Sequence, residues 1–315
     1  MKKKIVGIFV MTLLIATAYS SVGIEENTSS SFNNSIEAED QKNTSGDFWM
    51  EVYEGKFYAQ GFTPSETPLI KVRFHVSGNP PGNTNITVSI RDALNGDDIV
   101  SNMFNIDMIG GVVDFSFPDI DVTIGEIYYI VCNVDKGYLA SDCLGWPYSY
   151  DNQYDRGDAW YSENGITWYD ATDYTIDGFY DIDFAFTTYF RDYAPDACEI
   201  DGPIDGKAQE FTDYTFCTND PEGHDVEYYI EWGDGLVFNW DGPYESGEIA
   251  TRGHSWASKG NYTIRAKARD SYGAESDWTE LEVSMPKNKA ISSPFIQFLE
   301  NHPRLFPLIR QILGL

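Results

Sequence analysis

The sequence predicts an all-β protein made of two antiparallel β-sandwiches in tandem. Three observations carry that reading. Apolar residues recur at every second position in two long blocks, as they do in strands with one buried face. Clusters of Gly, Pro, Asn and Asp separate the runs, and the first block has no stretch with the 3.6-residue period of an amphipathic helix. At 315 residues, 42% hydrophobic and 15% aromatic, the chain can bury the cores of about two domains of roughly 100 to 150 residues each.

Residues 1–23 read as a signal peptide. Lys2, Lys3 and Lys4 precede an apolar run from Ile5 to Ala16, and small residues at Ala16, Ala18 and Ser20 place cleavage near Ala18 to Ser21. The run is shorter than the roughly 20 apolar residues of a retained anchor. Residues 24–46, rich in Ser, Asn, Glu and Thr, predict a flexible leader with too little apolar surface to offset the entropy of ordering. Sequons at Asn27, Asn33, Asn43, Asn85 and Asn261 fit a glycoprotein that is secreted or displayed at the cell surface. The net charge of -29 becomes more negative once the three signal lysines leave, which excludes nucleic acid as a partner.

In the block 47–190, Val72, Phe74 and Val76 alternate with Lys71, Arg73 and His75, and Ile86, Val88 and Ile90 alternate with Thr87, Ser89 and Arg91. The pattern returns in Val113, Phe115 and Phe117 and in Ile182, Phe184 and Phe186. Turn residues fill Ser77 to Thr84 and Asn95 to Asp98. The expected fold is an antiparallel sandwich of the jelly-roll kind. A second block, 195–285, predicts strands at Tyr214 to Phe216, Tyr228 to Trp232, Tyr262 to Ala268 and Leu281 to Val283. That count and length suit a small immunoglobulin-like sandwich.

Four separated motifs in this second block carry a resemblance. They are Asp220-Pro221-Glu222-Gly223-His224-Asp225, Glu231-Trp232-Gly233-Asp234-Gly235, His254-Ser255-Trp256 with Gly260-Asn261-Tyr262, and Asp270-Ser271-Tyr272-Gly273. Together they resemble the PKD (polycystic kidney disease) domain over about 90 residues, with Glu231-Trp232 where that family usually has Asp and an aromatic residue. The resemblance implies structural roles for Trp232, Gly233, Asp234, Gly235, His254, Gly260, Tyr262, Asp270 and Gly273. The stretch Ser162 to Trp168 followed by Asp183 to Tyr189 makes the first block similar to a jelly-roll domain of exported microbial proteins.

Residues 286–315 change composition again. Phe295 to Leu299 and Leu305 to Leu315, interrupted by Pro303 and Pro307, read as an amphipathic tail similar to those of archaeal PKD-bearing exported proteins. It is too short and broken to span a bilayer. A contact with a membrane interface, a sorting or docking role, and a helix packed on its own protein are the open readings.

Four cysteines, Cys132, Cys143, Cys198 and Cys217, have three possible connectivities. Pairing within each block, 132 with 143 and 198 with 217, needs no crossing between domains and suits an oxidising exterior. The two-to-four-residue spacings of zinc sites are absent.

No catalytic constellation is legible. The four histidines, His75, His224, His254 and His302, have no Ser or Cys partner that suggests a triad, and there is no His-Glu-x-x-His motif. His224 reads as a turn residue. The Gly233-Asp234-Gly235 triplet reads as a tight strand-end turn. The richest stretch is 146–180, whose rings could stack on the apolar faces of sugars, and Trp146, Tyr148, Tyr150, Tyr154, Trp160 and Trp168 are the candidate ligand contacts. The alternative for these rings is core packing. Asp151, Asp155 and Asp158 are candidate ligands of a structural calcium ion, as is the Asp173, Asp177 and Asp181 run. Arg156 stands where an EF-hand would need glycine. The expected function is non-catalytic binding of an extracellular polysaccharide or surface protein, with the PKD domain as spacer or interaction module. The alternatives are a structural stalk or layer component and an accessory module of a secreted degrading system.

Overall fold

The computed structural model describes residues 34–46, 48–78, 80–106, 111–137, 143–150, 153–171, 181–285 and 301. The expected signal peptide, the tail apart from Asn301, and Asp151, Asp173, Tyr174, Asp177, Phe179 and Tyr180 lie outside the described residues. Among the described residues no helix is long and apolar enough to cross a membrane.

The strands of the first sandwich are β1 (Ser35–Asn43), β2 (Phe48–Val52), β3 (Phe57–Phe62), β4 (Leu69–Gly78), β5 (Thr84–Arg91), β6 (Val100–Ile106) and β7 (Gly111–Ile120). They continue with β8 (Tyr128–Val134), β9 (Leu144–Tyr150), β10 (Ala159–Ser162), β11 (Trp168–Asp170), β12 (Ile182–Phe184) and β13 (Phe186–Tyr193). One sheet runs β1-β13-β4-β9-β12, with β2 on β9 and β7 on β4; the other runs β11-β10-β3-β8-β5-β6. From β4 onward the chain passes repeatedly from one sheet to the other, which gives the jelly-roll-like connectivity. Val72, Phe74, Ile86, Val88, Ile90, Phe115, Phe184 and Phe186 all point between the sheets and are buried, so the alternation read from the sequence places the core. Lys71 does point away from that core, but it too is buried, with its ammonium on Glu37 and over the Tyr189 ring at 4.0 Å.

The second sandwich contains β14 (Glu199–Asp201), β15 (Thr212–Cys217), β16 (Val226–Glu231), β17 (Val237–Tyr244), β18 (Ala250–His254), β19 (Gly260–Asp270) and β20 (Thr279–Met285). A three-stranded sheet, β14-β15-β18, faces a four-stranded one, β17-β16-β19-β20, in the immunoglobulin-like manner. Tyr214, Phe216, Tyr228, Trp232 and Trp256 fill the space between them.

Two expectations are corrected. The leader was expected to be flexible through residue 46, but from Ser35 it forms β1, which pairs with β13 from Ser35↔Tyr193 to Asn43↔Phe186. Hydrogen bonds replace the missing apolar surface: the Gln41 N–H donates to Thr188 Oγ1 at 3.0 Å, and Asn43 Nδ2 donates to the Phe184 carbonyl at 3.2 Å. Neither expected disulfide is formed. β8, which carries Cys132, and β9, which begins just after Cys143, belong to different sheets, so the two cysteines are not cross-strand neighbours in a hairpin. In the second sandwich Cys217 stands opposite Glu199, so neighbouring Cys198 points to the other face and into the core. Burial pushes the Cys198 thiol up to about 12, and Cys217 Sγ donates to the Gly247 carbonyl at 3.5 Å.

Gly233 has φ +77°, and a Cβ there would stand 2.7 Å from the Thr263 carbonyl oxygen. Gly235 has φ +92° with open space around it. Gly233→Ala is therefore expected to cost about 1–3 kcal/mol of stability and Gly235→Ala less, compared by urea denaturation.

Candidate functional site

The aromatic stretch does not form one platform. Trp146 is 1% exposed and stacks on Phe184 at 4.3 Å, donating its indole N–H to the Ala185 carbonyl at 2.9 Å. Tyr154 is 6% exposed, and its hydroxyl donates to Gln41 Oε1 at 3.1 Å. Both are core residues and not ligand contacts: alternation along β9 turns Trp146 inward, and Tyr154 closes over Phe186 edge-to-face at 5.1 Å. Trp160 and Trp168 are half-buried on the β10–β11 pair, and their indole nitrogens are buried with no hydrogen-bond partner.

Tyr148 and Tyr150 are half-buried at the end of β9 and pack edge-to-face at 5.5 Å. Pairing of β2 with β9 sets Phe48 opposite Tyr148, which brings the Phe48 ring 5.7 Å from Tyr148 and 4.4 Å from Tyr150. Phe48 is 43% exposed, and Trp49, on the other face of β2 over Gly145, is 47% exposed. These two exposed rings were not among the candidates read from the sequence. Their only signal was an apolar pair at the start of a strand, one position of which had to face outward.

Next to this region Asp183 is buried, accepting the Tyr154 backbone N–H at 2.9 Å and Gln60 Nε2 at 3.3 Å. Burial, with the charges of Asp181 and Asp158, raises it to about 6, against the lowering effect of those two hydrogen bonds. The proposed calcium ligands Asp155 and Asp158 are exposed, and among the described residues they do not converge with a third donor. Arg156 turns to Gln41, its Nη1 donating to Oε1 at 2.9 Å.

In the second sandwich the motif residues build turns. Asp234 Oδ1 accepts the Leu236 N–H at 3.1 Å, and its Oδ2 meets His254 Nε2 at 2.9 Å. His254 in turn stacks on Trp232 at 4.6 Å, while Trp256 donates to the Trp232 carbonyl and stacks on Tyr262. Gly260 opens β19, and Gly273, at φ +98°, lets Asp270 Oδ1 accept three successive backbone N–H groups, from Tyr272, Gly273 and Ala274. Asp220 Oδ1 accepts those of Glu222 and His224 in the same way.

These last two turns meet the first sandwich. Tyr272 packs edge-to-face on Phe190 at 4.9 Å and donates its hydroxyl to Glu66 at 3.1 Å. His224 Nε2 lies 3.3 Å from Glu66 Oε2, and its Nδ1 lies 3.4 Å from Asp192 and 3.5 Å from Asp220. Burial raises Asp192 to about 7, with the charge of Asp270 adding to it. Burial works against a charged imidazole, but Glu66, Asp220 and Asp192 together outweigh it and hold His224 above its ordinary value. Sequence reasoning missed this junction, because its members lie far apart in the chain.

The architecture defines a class, a β-sandwich module followed by an immunoglobulin-like one. The particular family of the second module is also clear: residues 206–283 match the model of the PKD domain, a non-catalytic module typical of extracellular proteins. Among solved structures, the chain is similar to the PKD domain of an M14-like peptidase from a Thermoplasmatales archaeon. The two are 47% identical over 30% of this chain and 99% of that one, with a TM-score of 0.30. It also matches a CARDB domain from Pyrococcus furiosus at 14% identity over 29% of this chain and 94% of that one, TM-score 0.22. A glycoside hydrolase domain, Endo-D from Streptococcus pneumoniae, matches at 9% identity over 80% of this chain and 33% of that one, TM-score 0.22, so this chain spans about a third of its length. No curated protein matches the chain.

Trp146→Ala is expected to cost about 3–5 kcal/mol and Trp49→Ala no more than about 0.5 kcal/mol, as read from denaturation midpoints. Asp183 binds its proton more tightly folded than unfolded, so its contribution favours the native state at low pH and is lost as pH rises from about 4 through about 6. Denaturation across that window should show a downward slope in the wild type that is reduced in Asp183→Asn.

Proposed function

We propose that this is a non-catalytic, exported binding protein of the cell surface, in which the first sandwich recognises extracellular polysaccharide and the PKD domain holds it in a fixed orientation. The observation that supports the reading is the exposed edge of β2, where Phe48 lies against Tyr148 and Tyr150 on one face and Trp49 is exposed on the other. The Phe48, Tyr148 and Tyr150 cluster offers apolar area for the C–H faces of a sugar ring, and the tyrosine hydroxyls, 3.3 Å from each other, can exchange hydrogen bonds with sugar hydroxyls. Export rests on the Lys2 to Ser21 pattern, and the PKD module fits it.

A second reading, a structural link in a surface layer, draws on the burial of Trp146 and Tyr154 and on the closely packed junction between the sandwiches. Retention on a panel of insoluble and soluble polysaccharides separates the two. Under the binding reading the wild type is retained by at least one polysaccharide, and Phe48→Ala or Trp49→Ala weakens retention about tenfold, equivalent to about 1.4 kcal/mol, with the fold unchanged. No retention on any of them, or retention indifferent to both substitutions, would favour the structural link.

A further inference from the structure

We propose that the junction between the two sandwiches is a binding site for a divalent cation of the zinc class, held by Asp192, Glu222 and His224. The proposal does not depend on the binding function of the β2 edge. Asp192 comes from β13 of the first sandwich, and Glu222 and His224 come from the PKD loop before β16. One donor atom from each lies within 4.8 Å of the other two.

The strongest sign is Asp192 itself. Its side chain is fully buried, and neither carboxylate oxygen has a hydrogen-bond partner. A buried carboxylate in this state is costly unless it takes up a proton or a positive charge compensates it. Nearby, Asp220 Oδ2, Glu222 Oε2 and Asp270 Oδ2 are also buried without partners. The second oxygen of Asp220 and of Asp270 is already committed to backbone N–H groups of its own turn. Glu66, Asp192 and Asp220 thus lie within 3.5 Å of one imidazole with Glu222 close by, and a single imidazolium supplies only one positive charge against them.

His224 is oriented as a metal ligand. Glu66 faces Nε2 and takes the N–H there, and the Tyr272 hydroxyl holds Glu66 from its other oxygen. Nδ1 then turns its lone pair toward Asp192 Oδ1 at 3.4 Å and makes no hydrogen bond. Lone pairs facing each other repel unless a proton or a metal cation lies between them. Donor atoms of a tetrahedral site with bonds of about 2.1 Å stand roughly 3.4 Å apart, which matches this separation. A carboxylate behind the distal nitrogen of a ligating histidine is the usual way such a ligand is fixed. The imidazole donor favours zinc over manganese, calcium or magnesium, which prefer carboxylate, carbonyl and water oxygens.

The test uses the full chain, stripped with chelator, exposed separately to Zn2+, Mn2+ and Ca2+, passed through gel filtration and assayed for retained metal. We expect a single zinc ion per chain, manganese and calcium held more weakly, and a thermal midpoint raised by zinc. Both effects should be lost in Asp192→Asn and in His224→Gln and kept in Asp155→Asn, which lies at an exposed acidic position. Should either junction variant fail to fold, Co2+ added to the wild type decides the matter: visible d–d absorption that zinc displaces supports the site, and its absence counts against it. No retained dication in the wild type, zinc retained by folded Asp192→Asn, or calcium held equally by the wild type and His224→Gln would each overturn the proposal.

Discussion

The contact on which the tandem arrangement depends is the one His224 makes with carboxylates of both sandwiches. It reaches Glu66 and Asp192 in the first sandwich while its own loop is tied by Asp220. Tyr272 adds an apolar face against Phe190 and a polar tip on Glu66. A junction made only of apolar contact could slide; directional bonds to Glu66 at both His224 and Tyr272 fix its rotation as well.

The PKD motifs serve this junction through their turns. Asp220 and Asp270 each use one oxygen to organise a turn by accepting backbone N–H groups, and this leaves the other oxygen directed away from the turn. Loop residues that look purely structural within one domain thereby become the charged lining of an interface with the next. The Gly233 to Gly235 turn has a different partner, His254 of its own sandwich, so the same kind of motif closes the core there.

Much of the fold was legible in the sequence, because strand alternation at Val72, Phe74 and Val76 or Ile86, Val88 and Ile90 is a direct readout of which face is buried. β1 was not legible, since its stability comes from ladder bonds to β13 and side-chain amides, and neither leaves a hydrophobic trace. The aromatic stretch misled for a related reason. Periodicity says that Trp146 and its neighbours Gly145 and Pro147 face opposite ways, but not which side is solvent, and at β2 the strand end exposes Phe48 and Trp49 while Trp146 is covered. The cysteines show the same sensitivity to register, one position separating Cys198 from the face of Cys217. The junction was out of reach because Glu66 and His224 are brought together only by the packing of two domains.

Strand β1 also decides how the first sandwich would respond to mechanical load. Ser35, where β1 begins, stands beside Tyr193, where β13 ends. The polypeptide enters and leaves the first sandwich at the same end, so that body hangs as a side branch of the chain and adds little to its end-to-end length. Tension applied across it would open the β1–β13 ladder from the Ser35 end, one rung after another, and would not shear all rungs together. The rest of the sandwich, including the β2 edge, would stay outside the line of force until β1 had peeled away.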